Sequence, residues 1–318
     1  MDAEQILLTF IALMAIIGNI VALYYLAKRR VNNYIMLCVN LSVSAEIQSI
    51  FGFLPTLFLE KDSKKTTLLC RLAAFFSVFP SFTSISILTA VAISRMFLLE
   101  KPFLSNHGCY RSLFYKIGMA SWVYSLVWAS LPLLGFSSYT LEATGSRCSI
   151  NWTPKRVSDK IFLILLVILM FFLPLIIILV SCFYTARVIH LKLTYFSCTY
   201  GKDNIETKRF KKKENKAVLS LLIMVLSFLL CWTPYATIAL LSAFTSITTP
   251  ILLLRVAALF AKVSAVVNPI IYCTKENVFY NITIAFKLRN ASLINRSRNM
   301  ENKNNALDLK PTCAISCK

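Results

Sequence analysis

Residues 250–273 are the apolar block that predicts the fold most clearly, and they read PILLLRVAALFAKVSAVVNPIIYC. An α-helix needs about 20 mostly apolar residues to cross the hydrocarbon core of a bilayer, and this block is long enough to do so. Similar blocks recur throughout the 318-residue chain, in which 57% of the residues are hydrophobic and only 15% are charged. This composition excludes an ordinary soluble domain and indicates an integral membrane protein.

The apolar blocks predict an all-α membrane protein built as a bundle of seven transmembrane helices. The predicted spans are about 6–27, 34–59, 69–99, 116–134, 160–190, 216–244 and 250–273. The segment after residue 276 has the pattern of a short amphipathic helix that lies on the membrane surface. We expect residues 1–289 to form one membrane domain, and residues 290–318, which are polar and rich in asparagine, to form a disordered tail.

The net charge of +20 would suggest a nucleic-acid partner in a soluble protein. Here the basic residues gather in the connections on one side of the predicted bundle, as they do in cytoplasmic loops that face anionic lipid. We therefore predict a multi-pass protein of the cell membrane with an extracellular N-terminus and a cytoplasmic C-terminus. Membrane lipid is the expected partner of the basic surface, and nucleic acid is not.

The ten cysteines include no CxxC pair and no Cys/His cluster, so the sequence predicts no metal site. Most of them lie inside apolar blocks, where a thiol is ordinary core packing. Cys70 and Cys148 differ, because each lies at or near the end of a segment on the predicted extracellular side.

Lys262 is the most unusual residue of the last span, since it lies in the middle of the apolar run from Leu259 to Val267. A charge near the bilayer centre is unfavourable by about 2.5–3.5 kcal/mol on insertion scales, so such residues usually serve a function. The alternatives are a lysine that reaches the interface, although roughly ten residues separate it from either end, and a structural ion pair. Burial favours a neutral amine, which can attack an aldehyde to form a Schiff base; once protonated, that group needs a counter-anion.

Acidic residues that could supply this anion are scarce near the predicted spans. The candidates are Glu46 in the second span and Glu142 in the second extracellular connection. Considered alone, Glu142 is most simply interpreted as an exposed loop carboxylate.

Short motifs in all seven spans make the chain resemble a rhodopsin-class G-protein-coupled receptor, and within that class an opsin. Each motif is weak alone, but together they occur in the family's order and spacing: Gly18-Asn19, Asn40-Leu41, Cys70 twenty-five residues before Arg95, Trp122 with Pro132, Pro174, Cys231-Trp232-Thr233-Pro234-Tyr235, and Asn268-Pro269-Ile270-Ile271-Tyr272 followed by Phe279. Lys262, six residues before Asn268, distinguishes opsins from other receptors of the class. The second extracellular loop is most similar to those of the neuropsin, peropsin and retinal-isomerase branch.

The resemblance implies a ligand, a set of site residues and partners. Retinal would be bound covalently as a Schiff base to Lys262, and Glu142, six residues before Cys148, would be the counterion, because the alternative counterion position is Ala73. A disulfide between Cys70 and Cys148 would hold the loop over the bundle. Trp232, Tyr235 and Phe171 would line the pocket, with Tyr235 also able to hydrogen-bond Glu142. Activation switches would be Arg95, Glu214, Pro234, Asn268, Pro269 and Tyr272. A heterotrimeric G protein, and also arrestin, would bind the cytoplasmic face.

Several positions depart from the family pattern on the cytoplasmic side. The usual acid-Arg-Tyr triplet reads Ser94-Arg95-Met96, so Arg95 lacks its neighbouring carboxylate, although Glu214 is at the position of the acid that holds the same arginine across helices. Ala45 replaces the family's aspartate, and Glu46 is one residue further on. These changes keep open a second function, a retinal photoisomerase or retinal-handling opsin with little or no G-protein coupling; otherwise the resemblance predicts no enzyme.

A third hypothesis is a receptor for a diffusible ligand, in which Lys262 is incidental to ligand binding. Separately, Asn151-Trp152-Thr153 is a glycosylation sequon on the predicted extracellular side.

Overall fold

The computed structural model describes residues 3–29, 33–58, 66–100, 108–142, 147–153, 155–245 and 250–275. Its α-helices are α1 (Ala3–Ala27), α2 (Asn33–Ile47), α3 (Leu68–Glu100), α4 (Gly108–Ser130), α5 (Val157–Val167), α6 (Leu173–Tyr200), α7 (Ile205–Phe244) and α8 (Ile251–Lys275). A π-helical segment, Ile168–Phe172, joins α5 to α6, so these two helices form one span and the bundle has seven. The predicted surface helix and tail lie outside the described residues.

Six of the described helical segments are long and apolar enough to cross a bilayer by length and composition. They are Glu4–Ala27, Asn33–Phe58, Leu68–Glu100, Val157–Tyr200, Ile205–Ile238 and Ile251–Ile271. The seventh member is α4, which packs against α2 and α3. Its Met119, Val123 and Val127 are each about half exposed and recur every four residues, which puts an apolar stripe on the outside of the bundle where lipid would lie.

The fifth and sixth spans continue as helix well beyond the apolar blocks. α6 runs to Tyr200 and α7 begins at Ile205, so only four residues, 201–204, separate them. Asn204 caps α7 by accepting a hydrogen bond from the backbone N–H of Glu206 at 2.8 Å. Hydropathy predicts only the part of a helix that lies in the membrane, whereas the lysines and glutamates beyond it are good helix formers in water.

The second span changes its helical pitch near the middle of the bundle. After Ile47 it continues as a π-helix over Gln48–Phe53 and then as a 3-10 helix over Leu54–Phe58. The irregular turn brings Gly52 so close to α3 that an added Cβ would lie 2.9 Å from the carbonyl oxygen of Phe76. Pro80, four residues later in α3, cannot donate a hydrogen bond to that carbonyl.

The first and last spans contact each other beside Pro269, a second proline inside a helix. Pro269 has no N–H for the carbonyl of Ala265, and the side chain of Asn19 donates to that carbonyl at 3.1 Å. Asn19 also donates to Ala15 at 2.8 Å and is fully buried. Pro269 Cγ would lie 3.4 Å from a Cβ added to Gly18, so the small residue lets the two helices approach. The Gly18-Asn19 motif thus satisfies a carbonyl that the seventh span's proline leaves free.

A short β-hairpin lies over one end of the bundle. Its strands β1 (Tyr139–Leu141) and β2 (Cys148–Ile150) are antiparallel and pair Leu141 with Cys148. A disulfide joins Cys148 to Cys70 in the first turn of α3, with their Cα atoms 5.4 Å apart. Tyr139 donates its hydroxyl to the carbonyl of Ala129 at 2.8 Å, and burial raises the pKa of this phenol. The hairpin is therefore fixed to both α3 and the end of α4.

Candidate functional site: a lysine at the end of an apolar cavity

Lys262 lines a cavity of about 540 Å³ between α3, α7, α8 and the hairpin. Its ammonium nitrogen lies 4.3 Å from the centroid of the Phe53 ring, which the irregular turn of the second span presents to it. Among the residues that the structure describes, none forms an ion pair or hydrogen bond with Lys262. This arrangement argues against a structural ion pair, and it leaves the amine facing open space inside the bundle.

Glu142 lines the same cavity and is not an exposed loop carboxylate, since only 6% of its side chain is accessible. One carboxylate oxygen accepts a hydrogen bond from the Tyr235 hydroxyl at 2.8 Å, which confirms the predicted contact. The other accepts from Nε of Arg147 at 2.7 Å. Trp152 donates to the Tyr235 hydroxyl at 3.2 Å and so orients it. The hairpin therefore presents Glu142 to the interior through two strong hydrogen bonds.

Arg147 is the site residue that the sequence reasoning missed. Its side chain is 5% exposed and is shared between Glu142 and Glu4, whose carboxylate lies 3.1 Å from Nη1. The hairpin register carries the signal: Leu141 pairs with Cys148, so the next pair outward is Glu142 with Arg147, and their backbones are hydrogen-bonded at 2.9 Å. Opposite charges facing each other across a hairpin stabilise it.

A larger and almost wholly apolar cavity of about 1000 Å³ adjoins the first. Trp232 and Tyr235 line both, so the two spaces meet at these side chains. Phe171, in the π-helical segment, lines the larger one together with Phe228, which stacks on Trp232 at a centroid separation of 5.8 Å. All three predicted pocket residues therefore line the larger cavity, and two of them, Trp232 and Tyr235, also line the cavity of Lys262.

Trp232 is held in place by Ser264, a residue to which the sequence analysis assigned no role. Its indole N–H donates to Oγ of Ser264 at 3.1 Å, and Ser264 donates to the carbonyl of Ala261 at 2.8 Å. Ser264 is two residues after Lys262 on α8. The orientation of the indole is thus tied to the turn of helix that carries the lysine.

Glu46, the acid of the second span, takes no part in the cavity. Glu46 lies on α2, and both of its carboxylate oxygens are buried without a hydrogen-bond partner among the described residues. Ala45, at the family's aspartate position, is 3% exposed, and Ala73, at the alternative counterion position, is 1% exposed. Glu142 is therefore the carboxylate that shares the cavity with Lys262 in the described part of the chain.

At the other end of the bundle, Arg95 packs on an aromatic ring. Its guanidinium carbon lies 4.8 Å from the centroid of Tyr34 on α2. Ser94, at the position of the family's acid, donates its hydroxyl to the carbonyl of Val91 at 2.8 Å. Glu214 is buried on α7, but no ion pair joins it to Arg95 in the described residues. Among the described residues, Arg95 makes a cation–π contact with α2 and does not form the cross-helix restraint that the resemblance implies.

The remaining predicted switches lie within α7 and α8. Pro234 is inside α7 and Pro269 inside α8, and Asn268 is 6% exposed. Tyr272 belongs to α8, but its side chain lies outside what the structure describes. At the hairpin end, Asn151 of the sequon accepts hydrogen bonds from the backbone N–H and the hydroxyl of Thr153 at 3.1 and 3.2 Å.

Known receptors are similar to this chain. The family model described as "7 transmembrane receptor (rhodopsin family)" matches residues 18–272. Melanopsin-B of Xenopus laevis is 29% identical over 272 residues, which cover 81% of this chain and 50% of the relative. The visual pigment-like receptor peropsin of Mus musculus is 26% identical over 219 residues, covering 68% of this chain and 62% of the relative.

A solved structure shares the fold. The crystal structure of squid rhodopsin superposes with a TM-score of 0.77 at 24% identity, covering 88% of this chain and 83% of the rhodopsin chain. This chain spans about half the length of the Melanopsin-B it matches, 50%. Because the family model covers residues 18–272, most of the chain, the protein belongs to the seven-transmembrane receptors of the rhodopsin family.

Proposed function

We propose that the chain is a light-sensing opsin, which binds retinal covalently through Lys262 and couples its photoisomerisation to a G protein. The observation that carries the proposal is the position of the Lys262 amine, in a cavity that it shares with Glu142 and that adjoins an apolar, aromatic space. The names of the relatives, melanopsin and visual pigment-like receptor, support this function over that of a receptor for a diffusible ligand.

The residues present fit retinal. A polyene aldehyde needs an apolar slot with a reactive amine at one end, and the larger cavity is lined mainly by aromatic and aliphatic side chains and adjoins the cavity of Lys262. The amine has no competing partner among the described residues, so it is free to react. The hairpin, which the disulfide holds to α3, lies over one end of the site.

Each side chain of the site has a distinct role in this proposal. When bound, retinal supplies an extended polyene whose shape changes on absorbing light. Lys262 would hold its aldehyde carbon through a Schiff-base linkage, with the loss of one water. Glu142 would supply negative charge to the linkage nitrogen, and Tyr235 fixes the direction of that carboxylate. Trp232, which Ser264 orients, and Phe171 would contact the apolar part of the ligand.

The cytoplasmic half would respond by a shift in the helix arrangement. A change in ligand shape favours the arrangement that accommodates it, and α7 carries both pocket residues and Glu214. Pro234 lies in the same helix between Trp232 and Tyr235, where a proline favours a bend. Arg95, Pro269 and Tyr272 would complete the switch, in a cell-membrane protein with an extracellular N-terminus. A G protein, and after it arrestin, would bind the cytoplasmic face.

Pigment formation tests the ligand half of the proposal. Membranes that contain the full chain are incubated with retinal in the dark and the absorption spectrum is recorded before and after acid denaturation. A protonated Schiff base should survive denaturation in the wild type and be absent from Lys262→Ala and Lys262→Arg, since arginine keeps the charge but lacks the amine. Lys160→Ala, which removes an exposed lysine of α5, is the matched control and should form normal pigment.

Nucleotide exchange tests the signalling half. Wild-type pigment is illuminated with each class of heterotrimeric G protein, and guanine-nucleotide exchange is measured against a dark sample. Light should accelerate exchange in at least one class. If protein that forms pigment activates none of them, the coupling is refuted; isomer analysis then shows whether light instead drives the release of one retinal isomer.

A further inference from the structure

A line of alternating charges runs from the first helix to the cavity of Lys262. Glu4, in the first turn of α1, lies 3.1 Å from Nη1 of Arg147 and 3.4 Å from Nε of Arg255 on α8. Arg147 in turn lies 2.7 Å from Glu142. Less than a fifth of the side chain is exposed at Glu4, Arg147 and Glu142, so water screens these interactions weakly. The first helix, the hairpin and the last helix are thus electrostatically coupled.

The charges around Lys262 do not amount to a simple counterion, because a positive charge accompanies the negative one. The charged and titratable side chains that line the cavity with Lys262 are Glu142, Arg147 and Tyr235. Tyr235 donates a hydrogen bond to Glu142 and carries no charge in that role. Arg147 brings a positive charge that offsets the one on Glu142. A proton on the Lys262 nitrogen therefore faces a carboxylate whose charge is already shared.

Glu4 restores part of the missing negative charge. It holds the far side of the Arg147 guanidinium, so that this cation divides its attraction between two carboxylates. One Arg147 nitrogen, Nη2, is buried without a hydrogen-bond partner among the described residues. Arg147 is therefore fixed by carboxylates on two sides, and any change in one pair alters the strength of the other.

We propose that Arg147 and Glu4 are positioning residues that set whether the nitrogen of Lys262 carries a proton, with opposite effects. Arg147 disfavours the proton by neutralising Glu142, and Glu4 favours it by drawing Arg147 away from Glu142. For the pigment the inference rests on the proposed retinal function; for the free amine it does not. If Arg147 and Glu4 only held the hairpin in place, replacing either residue would change the protonation of Lys262 in the same direction.

The first arm of the test uses dark pigment at neutral pH. A protonated linkage absorbs in the visible and an unprotonated one in the near ultraviolet, so the ratio of the two bands reports the proton. Arg147→Gln should raise the ratio by about tenfold or more, the usual effect of removing one nearby charge. Glu4→Gln should lower it by a smaller factor, since Glu4 contacts Arg147 and does not line the cavity. The double variant should resemble Arg147→Gln, because Glu4 acts through Arg147.

The second arm needs no retinal. The retinal-free protein is reductively methylated with formaldehyde and cyanoborohydride, and modification of Lys262 is followed by mass spectrometry, with Lys160 as the internal reference. A neutral amine reacts and an ammonium does not, so Glu4→Gln should speed the labelling of Lys262 and Arg147→Gln should slow it. Arg156→Gln, which removes a 63% exposed arginine paired with Asp159 at 3.0 Å, is the matched control and should leave both readouts unchanged.

Shifts of the same sign in the two variants, or no shift, would overturn the inference. If the wild type forms no pigment in any condition, the proposed function fails and the labelling arm alone decides this inference. If pigment forms and neither arm responds to Arg147→Gln, the proposed function stands and the inference is refuted.

Discussion

Gly52 gives the sharpest test of the packing that places the neighbours of Lys262. In Gly52→Ala the new methyl carbon would lie 2.7 Å from Oγ of Ser77, 2.9 Å from the carbonyl oxygen of Phe76 and 2.9 Å from the Ser77 backbone nitrogen. Carbon contacts are favourable at about 3.5–4.0 Å, so α3 must move away by several tenths of an ångström. Because two of the three atoms are backbone, no side-chain rotation relieves the overlap.

The expected destabilisation follows from two opposing effects. Overpacking of this kind is unfavourable by about 1–3 kcal/mol, whereas replacing glycine by alanine within a helix is favourable by about 0.5–1 kcal/mol. We therefore expect a net loss of stability of about 1 kcal/mol, and at most about 2.5 kcal/mol. Phe53, the next residue, should also shift and change the surroundings of the Lys262 nitrogen, which lies 4.3 Å from its ring.

Gly118→Ala is the matched control for this prediction. A Cβ on residue 118 would lie 3.8 Å from Nδ2 of Asn40, an ordinary contact, so only the favourable helix effect remains. Thermal unfolding of the purified proteins in one detergent and at one heating rate, followed by a thiol-reactive dye, compares the two. Gly52→Ala should unfold below the wild type and Gly118→Ala at or above it. Equal midpoints for the two variants would refute the close approach of the second and third spans.

Three further predictions concern the hairpin and the cytoplasmic end. Tyr235→Phe removes a 2.8 Å hydrogen bond to a carboxylate, a contact of about 1.5–3 kcal/mol, and should shift the absorption maximum and speed bleaching of dark pigment by hydroxylamine; unchanged values of both would contradict the assigned role. Cys70→Ser releases the hairpin, with an expected loss of about 2–5 kcal/mol and of pigment yield, whereas Cys198→Ser, at an exposed free thiol, should behave as wild type. Ser94→Asp installs a carboxylate beside Arg95 and should lower nucleotide exchange in the dark; a higher dark rate would argue against a missing local restraint.

The overall fold was predictable because it depends on the period and length of apolar blocks. Lys262 and the contact between Tyr235 and Glu142 were predictable for two different reasons. The lysine itself stands out as an unfavourable charge in an apolar helix, and the contact of Tyr235 with Glu142 follows from family spacing. Both belong to patterns that a linear sequence displays.

The remainder of the site depends on pairings that the sequence does not display. Arg147 is next to Cys148 in the sequence, but its contact with Glu4 joins two residues that are far apart along the chain. The partner of Arg95 could not be predicted either. Arg95 contacts Tyr34 and not Glu214, because the packing of α2 on α3 brings the Tyr34 ring to it. A motif specifies which residue occupies a position; its partner is chosen by the packing of neighbouring helices.

The central claim, that Lys262 is the residue that binds retinal, is tested most directly by locating the linkage. Pigment made with isotopically labelled retinal is reduced with borohydride, which converts the linkage to a stable secondary amine, and the digested protein is analysed by mass spectrometry. We expect one retinyl group on the peptide that contains Lys262 and none on peptides that contain Lys160 or Lys192. A retinyl group on another lysine, or no adduct in protein that absorbs visible light, would contradict the account.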